Sequence, residues 1–184
     1  MTAPTAALHP PSPVPIAVEG MLLSETLKAE IDRWVSQYPP GRQQSALLPS
    51  LLAAQRQHQG WLPRPLINAV ADYLQIPHIK AYEVATFYTM FELKPVGQHK
   101  ISICTNISCM LSGCDRIVQH LKKRLKINFG ETTPDGKFTL KEVECLGACV
   151  NPPVMILDEQ YHEQLTPAKI DCLLGIKAQT ISDD

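Results

Sequence analysis

The sequence predicts an α/β protein in two parts, a small N-terminal helical bundle followed by a compact α/β domain. Three observations carry that expectation. Apolar residues recur at helical spacing from Ser24 to about Pro95. After "KPVG" the texture changes to short alternating strands. Four cysteines then fall at or just beyond the ends of two of those strands, in "ISICTNISCML" and "EVECLGACVNPPVMIL".

Residues 1–20, "MTAPTAALHPPSPVPIAVEG", hold five prolines and almost no charge, so they read as a disordered tail with little to bury. Polyproline docking on a partner is the other use of such a segment. Residues 21–96 form the predicted bundle. Ser24 is the expected N-cap of a first helix carrying Leu27, Ile31, Trp34 and Val35. "SALLPSLLAAQRQHQG" gives a second helix ended by Gly60, with Pro49 in its first turn, where the missing N–H costs nothing. A third starts after Pro63 or Pro65 and runs through Leu66, Ala69, Val70 and Tyr73. A fourth is expected from about His78 to Phe91, ending before Pro95. Its aromatic group Tyr82, Phe87, Tyr88 and Phe91 reads most simply as core packing, with an interface or an electron path as the alternatives.

Residues 97–184 form the predicted α/β domain. "KISIC" places Ile101 and Ile103 on one face of a strand ending at Cys104. Ser112 with Asp115 suggests a capping box for a helix through Ile117, Leu121 and Leu125. The basic face of that helix, around Lys122, is expected in solvent rather than against a nucleotide or an acidic partner. "TPDG" reads as a turn, "KFTLKEVE" and "VMIL" as strands, and Pro167 opens a last helix running to about Leu174. The order is β, α, β, β, α.

Composition excludes several classes of function. With 184 residues, 45% apolar, 19% charged and a net charge of −1, the chain is globular and has no general attraction to nucleic acid or anionic lipid. No apolar run is long enough to span a bilayer, and no signal peptide is apparent, so a cytoplasmic location without membrane insertion is expected. In a reducing compartment six cysteines point to metal or redox chemistry rather than disulfides. Two adjacent strands ending on one edge would gather Cys104, Cys109, Cys145 and Cys149 into a patch, a ligand set for Zn²⁺ or a two-iron cluster.

Structural zinc favours tight two-residue knuckles. The gaps here, four and three residues, open the loops for backbone N–H groups to face bridging sulfides. Gly147 and Ala148 would let the backbone approach sulfur, and Pro152 and Pro153 would stiffen the loop before Val154–Leu157 anchors it. Cys114 follows Cys109 by the gap that separates Cys109 from Cys104, so spacing leaves the ligand choice open. Its place in the first turn of a helix argues against it. Cys172, on the last helix, reads as a small core hydrophobe. His9, His58, His78, His99, His120 and His162 sit at no useful offset in either cysteine loop and read as tail, surface or packing residues. A zinc-binding structural module and a thiol–disulfide oxidoreductase remain alternatives, the second weakened by the lack of CxxC.

"CTNISC" paired with "CLGAC" and "NPPVMI", behind "YEVATFYTMFELKPVG", resembles the family of two-iron ferredoxin subunits of bacterial NADH:quinone oxidoreductase, respiratory complex I. The resemblance runs from about Ser24 to Leu174. It implies a thioredoxin-like [2Fe-2S] ferredoxin domain behind the bundle, with Cys104 and Cys109, and Cys145 and Cys149, as ligands, two on each iron. It implies an electron-transfer subunit in the peripheral arm of the complex, on the cytoplasmic face of the inner membrane. FMN and NADH would be held only by a flavin-containing partner subunit, and a larger iron–sulfur subunit would be a second partner. NAD-linked hydrogenases and formate dehydrogenases share the module. The chain itself carries no GxGxxG and no P-loop, so no NADH chemistry is expected of it alone.

Overall fold

The computed structural model describes residues 23–175. The expected proline-rich tail lies outside them. Four helices come first: α1 (Glu25–Val35), α2 (Leu47–Gln57), α3 (Arg64–Tyr73) and α4 (His78–Phe87). The Ser24 hydroxyl accepts from the Leu27 amide at 3.1 Å and so caps α1, which buries Leu27 and Ile31. A short 3₁₀ turn, Gln43–Ala46, leads into α2, with Pro49 in the first turn. Beyond α2 the Gly60 amide reaches back to the Gln55 carbonyl. Leu51, Leu62, Ile67, Val70 and Leu74 join Leu27 and Ile31 in one apolar cluster.

The fourth helix stops at Phe87, not at Phe91. Tyr88 turns extended because non-local bonds claim the backbone beyond it. The buried Gln55 side chain donates to the Met90 carbonyl at 3.1 Å and accepts from the Glu92 amide at 2.7 Å. The Leu62 amide donates to the Glu92 carbonyl at 2.7 Å. Only Phe91 of the four aromatics enters the core; Phe87 is 77% exposed, and Tyr82 and Tyr88 are also on the surface. Core packing is therefore the wrong reading for three of them.

The second half is a four-stranded mixed sheet in the order β2, β1, β3, β4, built from β1 (His99–Cys104), β2 (Phe138–Val143), β3 (Met155–Leu157) and β4 (Gln160–His162). β1 and β2 are parallel, with Cys104 opposite Val143; β3 pairs antiparallel to both β1 and β4. Strand alternation sends Ile101 and Ile103 to one face and Lys100, Ser102 and Cys104 to the other. A one-turn helix, α5 (Ile107–Leu111), follows β1. The Ile101 face is covered by α6 (Cys114–Leu125) and α7 (Pro167–Leu173), through Ile117, Leu121 and Ile170. The Thr166 hydroxyl caps α7, and Pro167 opens it as the sequence suggests.

Two of these elements carry no sequence signal. β4 follows a two-residue turn in which Asp158 adopts φ 58°, and its polar residues show no alternation. The other is α5. The capping box does not form, because Ser112 ends α5 and Gly113, at φ 85°, is the residue that precedes α6. Glycine adopts that left-handed backbone without the penalty a Cβ brings, and so it sets the angle between the two helices.

The basic face of α6 is mostly in solvent at Arg116, Lys123 and Lys126, while Lys122 lies over the Phe129 ring at 4.3 Å. Arg124 instead turns inward. Asp171 on α7 accepts from Arg124 at 2.6 Å and pairs with His120 at 2.8 Å. Burial pushes the Asp171 carboxyl upward, but the hydrogen bonds and charges of Arg124 and His120 outweigh it, and the net shift is down. A carboxyl depressed on folding stabilises above its unfolded value of about 3.9 and loses that contribution as pH falls toward the folded value. The melting temperature of Asp171→Asn should therefore lie below wild type at neutral pH, with the gap shrinking below about pH 4. A gap that stays constant to pH 2 would show that the ionised form contributes nothing.

Candidate metal centre

Both cysteine segments leave the sheet at the same edge. β1 ends on Cys104, whose amide donates to the Val154 carbonyl at 3.1 Å; the next amide, Thr105, donates to the Val143 carbonyl at the end of β2. The Cys104 thiol in turn donates to the Glu144 carbonyl at 3.4 Å, so the first segment is fastened to the second one residue before Cys145. Cys109 comes back to the strand end on α5, started by Asn106, whose side chain accepts from the Ile107 amide. Cys104, Cys109 and Cys114 pack with Val154 as a small buried cluster.

Cys145 and Cys149 are exposed. The Gly147 amide donates to the Cys145 sulfur at 3.3 Å, a backbone donor turned toward a thiol as the loop spacing suggested. Gly147 has φ 75°, and no heavy atom lies within 4 Å of where its Cβ would be. Its left-handed backbone, rather than crowding within the chain, is what calls for glycine. The loop is held from the far side by residues that sequence reasoning missed. Tyr161 on β4 donates to the Leu146 carbonyl at 2.9 Å, and Asn151 donates to Glu163 at 2.8 Å. Both contacts depend on β4 and its flank, for which the sequence carried no strand pattern. Beyond Cys149, Pro153 and Val154 are buried and deliver the chain into β3.

The thiols associate two by two. Cys109 is pushed up to about 11, first by burial and then by a hydrogen bond with Cys104, against a backbone contact from Val154. Cys149 is raised by its hydrogen bond with Cys145 and by that neighbour's charge, with Ser108 of α5 pulling it down. Ser108 thus touches the second pair from the element that carries the first. Among the described residues no three Cys, His, Asp or Glu side chains converge on a single metal position. Cys114 is fully buried at the start of α6, and burial followed by the Asp115 charge raises its thiol. Cys172 is exposed, which corrects its reading as a core residue. Of the histidines, His78, His99 and His120 pair with Asp72, Asp158 and Asp171, and His58 packs edge-on to Trp61.

The thioredoxin-like [2Fe-2S] ferredoxin family matches residues 31–176. The chain belongs to that family. Curated relatives of this ferredoxin include the E subunit of NADH-quinone oxidoreductase from Rickettsia bellii, 51% identical over 140 residues, 76% of this chain and 84% of that protein. The E 2 subunit of NADH-quinone oxidoreductase from Rhizobium meliloti is 46% identical over 149 residues, 81% of this chain and 87% of that one. Among solved structures, an NAD+-reducing [NiFe]-hydrogenase in the air-oxidized state superposes with a TM-score of 0.59 at 22% identity, over 68% of this chain. The ferredoxin spans only 22% of that hydrogenase chain, and the likeness is one of fold.

The residues present suit the group that gives the family its name. Four thiols in two pairs, with a backbone N–H directed at one sulfur, match what two irons bridged by sulfide require better than what one tetrahedral ion requires. Soft thiolate sulfur is also the donor that iron–sulfur clusters select.

Proposed function

We propose that the chain is the electron-carrying [2Fe-2S] subunit of an NADH:quinone oxidoreductase, with Cys104 and Cys109 holding one iron and Cys145 and Cys149 the other. The observation that carries the reading is the delivery of two thiol pairs to one sheet edge by the parallel strands β1 and β2. A [2Fe-2S] cluster so held takes up and gives back single electrons. The chain's own contribution is to bind and to limit movement: β1, α5 and the Val154 contact fix the buried pair, and Tyr161 and Asn151 brace the loop of the exposed pair. Rigid ligands keep reorganisation on electron transfer small.

Partners supply the rest of the path. FMN and NADH belong to a flavin-containing NADH-binding subunit, and a larger iron–sulfur subunit continues the path in the peripheral arm, on the cytoplasmic face of the inner membrane. Among the described residues no helix is long and apolar enough to cross a membrane. The carrier role is non-catalytic in the sense that hydride chemistry stays with the flavin.

Rapid mixing with NADH tests this directly. Purified, cluster-loaded chain should stay oxidised with NADH alone and become reduced once the flavin-bearing partner is added, while the Cys145→Ser chain accepts no electron at this site. Reduction of the isolated chain by NADH at a catalytic rate, free of flavoprotein, would replace the carrier reading with an enzyme. Colourless protein containing stoichiometric zinc would end the cluster reading altogether.

A further inference from the structure

The aromatic motif between α4 and β1 takes no part in holding the metal centre. Phe87 is 77% exposed, Met90 42%, Tyr88 39% and Leu93 37%, yet the backbone that bears them is among the most firmly held in the chain. Gln55 grips Met90 and Glu92, Leu62 bonds Glu92, Lys141 donates to the Thr89 carbonyl, and Phe91 anchors the segment in the core. Large apolar side chains on a pinned backbone need no loop ordering when a partner arrives, and aromatic residues dominate binding hot spots.

The position of this ledge decides what covers it. The Glu92 carboxylate receives both Lys100 at 3.2 Å and Lys141 at 2.6 Å. Lys100 lies on the sheet face that also carries Ser102 and Cys104, and Lys141 is the residue opposite Ser102. The ledge therefore sits over the cysteine-bearing face, about 7 Å along the strand from Cys104 at ~3.3 Å per residue. On the other flank of the thiols Ile107, Leu111 and Val150 are 64%, 81% and 90% exposed. A standard interface of about 800 Å² per partner is roughly 30 Å across, so a protein seated over Cys145 and Cys149 extends onto the ledge. Asp115, Glu142 and Glu144 are exposed around the same edge, which disfavours anionic lipid and suits a basic rim on the partner.

We propose that Phe87, Tyr88, Met90 and Leu93 form an apolar docking ledge for the flavin-bearing NADH-oxidising partner, continuous with the cysteine face. The proposal rests on the function proposed above. A second copy of this chain is the poorer occupant, because it would cover the exposed thiols that the flavin must approach.

The test uses the full-length, cluster-loaded chain and purified flavin-bearing partner, with binding measured by interferometry at two salt concentrations. Phe87→Ser and Phe87→Ser/Met90→Ser should weaken binding at least about tenfold, with iron content, the reduced-state magnetic resonance spectrum and the melting temperature as in wild type. Wild-type binding should weaken with added salt. Equal binding by wild type and the double variant overturns the ledge while leaving the functional reading intact. Failure of the wild-type chain to bind the flavoprotein overturns that reading and the ledge with it. Self-association of the wild type that the double variant abolishes makes the surface a homodimer contact and also overturns the proposal.

Discussion

Serine at Cys104, Cys109, Cys145 or Cys149 is expected to strip the cluster or change its visible spectrum beyond recognition, from a starting content of about two irons and two acid-labile sulfides per chain. A hard alkoxide is a poor substitute for a soft thiolate, and each pair stands to lose half of its donors. Alanine at Cys114 or Cys172 should leave both spectrum and iron content nearly intact. The Cys114 comparison is the stringent one, because that thiol is fully buried beside Cys104 and Cys109. A chain bleached by Cys114→Ala and unaffected by Cys109→Ser would reassign the ligands on the first segment.

Gln55→Ala should destabilise the chain by about 2–5 kcal/mol, since two buried-side backbone groups each lose a partner at roughly 1–3 kcal/mol. The residue is 7% exposed and its side chain serves one carbonyl and one amide at once, at Met90 and Glu92. Glu92 also collects Lys100 and Lys141, so the loss reaches the sheet from the helical side. Urea unfolding measures the effect. A midpoint within error of wild type would mean that water replaces both bonds, and that the early end of α4 has another cause.

What was legible in the sequence was local. Ser24, Pro49 and Pro167 marked helix starts by capping or by the missing N–H, and the alternation of Ile101 and Ile103 marked β1. The features that escaped are set by partners distant in the chain. The end of α4 depends on Gln55, more than thirty residues earlier, and helical periodicity through Phe91 gave no sign of it. Ser112 and Asp115 have the right spacing for a capping box, but Gly113 between two helices overrides it. β4 is three residues long and polar, and it exists because β3 offers it an edge. Of the site, the cysteine spacing and the outlet strands could be read directly, whereas the bracing by Tyr161 and Asn151 required the fold.

The division of the thiols into a buried pair and an exposed pair gives the centre an inside and an outside. Cys104 and Cys109 belong to the packed interior, held by a strand and a helix, so that half is as durable as the core around it. Cys145 and Cys149 stand in a surface loop whose supports are a few hydrogen bonds. Chelators and oxidants arriving from water meet the loop pair first, and repair machinery reaches it from the same direction. Wear and renewal of the centre thus share one doorway, the loop after β2, which the docked partner closes.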